Sequence, residues 1–210
     1  MRIEIGGIPV EHRINPRMKN IYLVVETDGT VVLKSNGKHP RRLRSFFESK
    51  RAWIDAQLER AARRPKMVPG ESILFRGALY PPAELGIVCG AGTDREALCR
   101  RYHRFYRTEA EAYLLERTAR FAREMGIGYE AVRFRRMKRR WGSCSKKGTI
   151  TYNTLLMQLE PELIDYTVVH ELAHRVHFNH SKAFHALVRS VLPDEKELRR
   201  RMKAHHIQTC

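Results

Sequence analysis

Apolar and polar positions alternate early in the chain. Ile21, Leu23 and Val25 share one side, Asp28-Gly29 supplies a two-residue turn, and Val31 and Leu33 resume the alternation, which is the pattern of a β-hairpin. From Pro40 the period lengthens. Leu43, Phe46, Phe47, Ile54, Leu58 and Ala61 fall at helical spacing, with Pro40 suited to a first turn and Pro65 to a stop, so one helix is expected between them. Ile73 to Phe75 read as a further strand, and Gly and Pro residues punctuate the stretch from Gly77 to Gly92. A module boundary is expected near residue 92.

The second half starts with Thr93-Asp94-Arg95-Glu96, the pattern of a capping box. A long helix should run from there to about Met125, with Leu98, Tyr102, Phe105, Tyr113, Leu114 and Phe121 toward the core and Gly126 as its stop. Val132 and Phe134 alternate with arginines, as in a strand with one wet face, and Ile150 and Tyr152 mark another strand. Pro161 opens a helix expected to continue past His174, and Ser181 and Asp194 each cap a further one. This order of elements gives an α+β fold, with residues 1–92 as a strand–helix–strand module and residues 93–210 as the second domain.

Charge narrows the partners. Lys and Arg total 40 against 23 Asp and Glu, a net charge of +17, which favours an acidic partner surface over a basic one; the partners expected are a peptide or nucleotide substrate, with nucleic acid or another polyanion on the basic surface. The basic clusters, among them Arg41-Arg42, Arg63-Arg64, Arg133 to Arg140 and Arg199-Arg200-Arg201, are spread along the whole chain rather than gathered in one recognition helix. No GxxxxGK phosphate loop occurs. The absence of any run of eighteen apolar residues argues against a membrane span, and the N-terminus has no uninterrupted apolar stretch of the signal-peptide kind. The cysteines at 89, 99, 144 and 210 make no CxxC pair and suggest no disulfide framework, so a reducing cytoplasm is the expected setting.

The chemistry lies in residues 170–174, His-Glu-Leu-Ala-His. On a helix the two histidines stand one turn apart on one face and can share a metal ion, with Glu171 beside them to act on a metal-bound water. Catalytic zinc keeps three protein ligands and leaves a position for water, so a third ligand is required. His177, His180, Glu195 and Glu197 are available. On an unbroken helix His177 lies roughly 10 Å along the axis from His170, near the limit of reach. Reach and the turn chemistry of Asn179 favour His180. Upstream, Arg139, Arg140 and Trp141 form a candidate substrate wall, with cations to hold an anion and an indole face to stack on a ring. Arg139, Arg140, Tyr166 and His185 are the candidates for steadying an oxyanion. Cys144 has no base beside it in sequence and reads as packing.

These residues support a zinc-dependent hydrolase, first a metallopeptidase in which Glu171 activates a zinc-bound water. The alternatives are a metal-dependent hydrolase of nucleoside triphosphates and a nucleic-acid-associated binding protein with a structural metal. Taken together, Arg140-Trp141-Gly142-Ser143-Cys144-Ser145, Gly148, Ile150, Asn153, Leu155, Pro161, Asp165-Tyr166, Val168 to Leu172, His174, Asn179-His180-Ser181 and Phe184 resemble the YgjP-like family, which is similar to SprT-like zincin metallopeptidases. The resemblance covers about residues 94–192. It implies a zincin-like α+β core behind an N-terminal hairpin–helix module, zinc at His170, His174 and His180, and Glu171 as base. One departure is His185, where the family pattern has Trp after the Phe.

Overall fold

The computed structural model describes every residue except 27, 28, 63, 64 and 91. Asp28 of the expected hairpin turn and the Arg63-Arg64 pair therefore lie outside the described residues. The chain divides into two compact units, Met1–Arg64 and Pro65–Cys210.

The first unit is a four-stranded sheet with two helices. Strands β1 (Arg2–Ile5) and β2 (Ile8–Ile14) pair antiparallel across Gly6-Gly7, whose φ angles of 57° and 77° are the left-handed values a tight hairpin needs. The expected pair comes next as β3 (Tyr22–Val25) and β4 (Val31–Ser35), antiparallel, with β4 also parallel to β2, giving the order β1-β2-β4-β3. The single helix expected from Pro40 is two, α1 (Pro40–Ser49) and α2 (Arg51–Ala62). The Ser49 hydroxyl donates to the Phe46 carbonyl at 2.7 Å, and the Lys50 N–H turns back to Phe47 at 3.0 Å, which tightens the last turn and ends it. Leu43, Phe47 and Ile54 are buried in one cluster with Ile5, Ile8, Val10, Val31 and Leu33.

The second unit opens with a short hairpin, β5 (Ile73–Phe75) and β6 (Ala78–Tyr80), and then carries the long helix α3 (Arg95–Met125). Asp94 is the N-cap of α3 and accepts from the Ala97 N–H at 2.7 Å, so the cap is Asp94 and not Thr93; Gly126, at φ 64°, is the C-cap. Leu98, Tyr102, Tyr106, Ala110, Leu114, Thr118 and Phe121 are buried, while Phe105 and Tyr113 pack at the margin of the core. A three-stranded sheet, β7 (Ala131–Arg135), β8 (Gly142–Cys144) and β9 (Thr149–Asn153), has the order β7-β9-β8, which leaves β8 at an edge. A 3₁₀ turn at Thr154–Gln158 leads into α4 (Pro161–Ala173), followed by α5 (Lys182–Val191) and α6 (Glu195–Ala204). The fold is α+β, as its sequence order implies.

Two sequence expectations are corrected here. The boundary falls at Arg64/Pro65 and not near residue 92, because the β5–β6 hairpin belongs to the second unit. Ile73, Phe75 and Ile87 share a core cluster with Leu98 and Leu163, and the Arg76 and Gly77 N–H groups donate to Met157 and Gln158 at 2.8 and 3.0 Å. The cysteines also do form a disulfide, between Cys99 and Cys210, across a sequence separation of 111 residues that no local spacing could reveal. Beside it, Gln158 and Gln208 exchange two hydrogen bonds of 2.8 and 3.1 Å. Among the described residues no helix is long and apolar enough to cross a membrane.

Candidate metal centre

Helix α4 is apolar around most of its circumference. Pro161 occupies its first turn, and Leu163, Ile164, Val168, Val169, Leu172 and Ala173 are buried. Arg117 of α3 grips Asp165 with both guanidinium arms, one of them at 2.7 Å, and fixes the helix lengthwise. The remaining stripe carries Tyr166, His170 and His174 at i, i+4 and i+8. The helix does not continue past His174, which is its C-cap. The chain turns through residues 175–180, and Ser181 caps α5 by accepting from the Phe184 N–H at 3.3 Å. That reversal returns His180 to the α4 face.

The three histidines meet there, with ligand nitrogens all within 4.8 Å of one another. His170 Nε2 and His180 Nε2 are 3.1 Å apart. Metal–nitrogen bonds of about 2.0–2.1 Å put tetrahedral ligand nitrogens roughly 3.3 Å apart, so the donor set fits a zinc-sized cation. His174 Nδ1 is 3.0 Å from the His177 carbonyl, which leaves Nε2 free to coordinate. His177 meets the triad through its backbone carbonyl. Burial, with the neighbouring imidazoles, pushes His170 down to about 3 and lowers His180 as well, so both rings stay neutral and offer lone pairs. Beneath them lies the fully buried Phe184, its ring centroid 4.9, 4.7 and 4.9 Å from those of His170, His174 and His180. In the sequence Phe184 is one member of a family pattern; its helical spacing gives no sign of this role as a floor.

Glu171 is 5% exposed, and its Oε2 is buried without a hydrogen-bond partner among the described residues. Burial raises its pKa to about 8 against the opposing pull of Arg140. Strand β8 runs beside it: a Cβ on Gly142 would lie 2.6 Å from Glu171 Oε1. The space a side chain would take at Gly142 is filled by the Glu171 side chain. Asn153, fully buried, holds the loop before β8. Its Nδ2 donates to the Met137 and Arg140 carbonyls at 2.8 and 3.0 Å, and its N–H donates to Trp141 at 2.8 Å. This clamp puts the Arg140 charge within reach of Glu171. Arg139 and Arg140 are exposed and Trp141 half-buried. Cys144 is half-buried, and burial and Glu171 raise its pKa, which suits packing rather than attack.

The other third-ligand candidates are engaged elsewhere. Glu197 pairs with Arg200 at 2.6 Å, and Glu195 turns to His185 at 2.9 Å.

The sequence model of the YgjP-like, metallopeptidase domain family matches residues 19–205. A solved structure, the metallopeptidase zymogen of Pyrococcus abyssi abylysin, is 30% identical over 42% of this chain and 90% of its own, with a TM-score of 0.39. No curated protein matches. A family match that runs from the first unit through the histidine triad to the end of α6 leaves one assignment: the chain belongs to the YgjP-like metallopeptidase-domain family.

Proposed function

We propose that the chain is a zinc-dependent peptidase in which His170, His174 and His180 hold the metal and Glu171 moves the proton. The observation that carries this reading is the buried, unpartnered Oε2 of Glu171 next to three converging imidazoles. When bound, zinc supplies Lewis acidity, polarising a carbonyl and bringing the pKa of water toward about 7. Glu171 Oε2 takes a proton from the attacking water, holds it in a site that excludes bulk solvent, and delivers it to the leaving amine. Phe184 keeps the ligand rings in register and His177 fixes the tautomer of His174.

The edge position of β8 favours a peptide over a phosphoanhydride. An extended peptide can add to an edge strand by main-chain hydrogen bonds, and one face of this strand lies against the Glu171 side chain. Arg139, Arg140 and Trp141 at its start would contact the same substrate.

The test uses untagged protein. Wild type should carry one zinc per chain and cleave an unfolded protein in a chelator-sensitive manner. His180→Ala should lose most of the zinc, and Glu171→Gln should keep it and lose turnover. Chelator-sensitive phosphate release from nucleotides without peptide cleavage would overturn the peptidase reading. So would full activity in Glu171→Gln.

A further inference from the structure

Glu195 is a fully buried carboxylate that the proton transfer does not use. It is the first residue of α6, and burial of its charge demands compensation. Three groups provide it. His185 Nδ1 lies 2.9 Å from Oε1, Arg199 Nε 3.4 Å from Oε1, and Arg189 Nη2 3.4 Å from Oε2. Two guanidinium groups around one carboxylate leave the cluster with a surplus of one positive charge, even with His185 neutral.

The surplus sits at the rim of the metal centre. Arg199 Nη1 is 2.9 Å from His185 Nε2 and 3.5 Å from Nδ1, so the guanidinium lies against the imidazole whose Nδ1 meets Glu195. The His185 ring lies parallel to His180, at 24° and 6.3 Å between centroids. The Arg199 charge acts on His180 and on Tyr166, whose ring is 5.7 Å from that of His170. The Arg199 side chain is 37% exposed.

We propose that Arg199 is a specificity determinant of this site and receives a carboxylate of the substrate peptide next to His180, with Glu195 and His185 as the residues that position it. The proposal rests on the peptidase reading above. A guanidinium fixed at Nε and Nη1 keeps its outer arm in one orientation, and its fork matches a carboxylate better than any neutral group. A lysine on the substrate would meet like charge. The carboxylate is a Glu or Asp side chain, or a free C-terminus; both present the same planar oxygen pair.

The experiment profiles cleavage of a mixture of synthetic peptides by zinc-loaded wild type, Arg199→Gln, Arg199→Lys and Glu195→Gln. Each peptide is supplied with a free and an amidated C-terminus. The best substrate is then compared with its Glu-to-Gln or amide counterpart. Wild type should prefer the carboxylate form by at least tenfold in kcat/KM, mainly through KM. The ratio should fall to near one in Arg199→Gln, recover in part in Arg199→Lys, and shrink in Glu195→Gln although Arg199 is still present. The same ratio should appear as a difference in Kd when the two peptides bind the Glu171→Gln protein, which does not consume them. Zinc content of Arg199→Gln should match wild type; its melting temperature should fall, because the buried Glu195 loses one of its cations, and cleavage is compared well below that temperature. Cleavage without preference for the carboxylate form, or a preference that survives in Arg199→Gln, overturns the inference alone. Absence of any peptide cleavage by the zinc-loaded wild type overturns the peptidase reading, and the inference with it.

Discussion

Gly142→Ala should silence the enzyme while leaving its metal in place. The added Cβ would stand 2.6 Å from Glu171 Oε1, 2.8 Å from Cγ and 3.0 Å from Cδ. Ordinary contact begins at about 3.5 Å, so the carboxylate or the strand must give way by about 0.9 Å. Neither has room to spare, because Glu171 is 5% exposed and Gly142 is paired in the sheet with Tyr152. Overpacking of this kind costs about 1–3 kcal/mol, which for a chain of this size lowers the melting temperature by roughly 2–12 °C. The effect on turnover should be larger. A catalytic group displaced by about 1 Å loses on the order of 100-fold in rate, so kcat should fall by about that factor. The histidine triad stands on other parts of α4 and before α5, and zinc stoichiometry should remain at one. The assay is zinc content, peptide cleavage and thermal unfolding on one preparation. Full turnover would refute the idea that β8 sets the position of Glu171. Loss of zinc together with activity would show that the strand acts through the ligands.

Other parts of the molecule give further expected outcomes. Phe184→Ala removes the floor under all three imidazoles and should cost about 3–5 kcal/mol of stability; chelator competition should show zinc affinity at least tenfold weaker, and unchanged affinity would mean that the ring only fills space. Reducing the Cys99–Cys210 bridge with a dithiol, or Cys210→Ser, should destabilise the second unit by up to about 5 kcal/mol, because the closed loop is long; a denaturant midpoint indifferent to reduction would contradict this. Single-stranded oligonucleotides should bind at low salt, and replacing Arg133 and Arg135, both exposed on β7, by Ala should flatten the slope of log K against log salt by about 1.4. No binding at low salt removes the polyanion reading. Burial, together with the N-terminal ammonium, holds His12 below its ordinary 6.5, and its Nε2 meets Ser35 Oγ at 2.9 Å. The unfolded chain therefore takes up the proton first, so the contribution of His12 to the first unit is complete above pH 6.5 and declines as pH falls below it; His12→Gln should remove that decline in a pH series of unfolding curves.

The legible parts of the sequence are local. Asp94 and Gly126 bracket α3 because caps act within one turn, and Pro161 marks the start of α4 for the same reason. The pairing of His170 with His174 needs only helical periodicity, and the return of His180 needs only a turn and the cap at Ser181. The illegible parts depend on contacts between distant segments. Ile73 and Phe75 look like the tail of the first module until Arg76 and Gly77 are seen donating to Met157 and Gln158. Glu195 reads as a spare ligand, and only the packing of α5 against α6 turns it to His185. The Gly6-Gly7 hairpin is absent from the expectations although its signal is local: two glycines between Ile-x-Ile and Ile-x-Val mark a turn by themselves.

The two motifs of the second unit act as one device. Gly142 and Tyr152 pair across β8 and β9, Asn153 next to Tyr152 ties down the loop that ends at Trp141, and the Tyr152 hydroxyl meets Thr118 of α3 at 3.0 Å. The strand edge that would receive a peptide and the wall that confines Glu171 are therefore the same short stretch of backbone. Moving that edge moves the peptide and the carboxylate together, so their relative position is better protected than either position alone. Substitutions behind the sheet, such as Thr118→Val, should therefore cost stability with little loss of turnover. Gly142→Ala shifts the carboxylate against the edge and should lose turnover as well as stability. A Thr118→Val protein that unfolds as wild type does but turns over 100-fold more slowly, the factor expected of a roughly 1 Å displacement, would show that the edge and the base are not carried together.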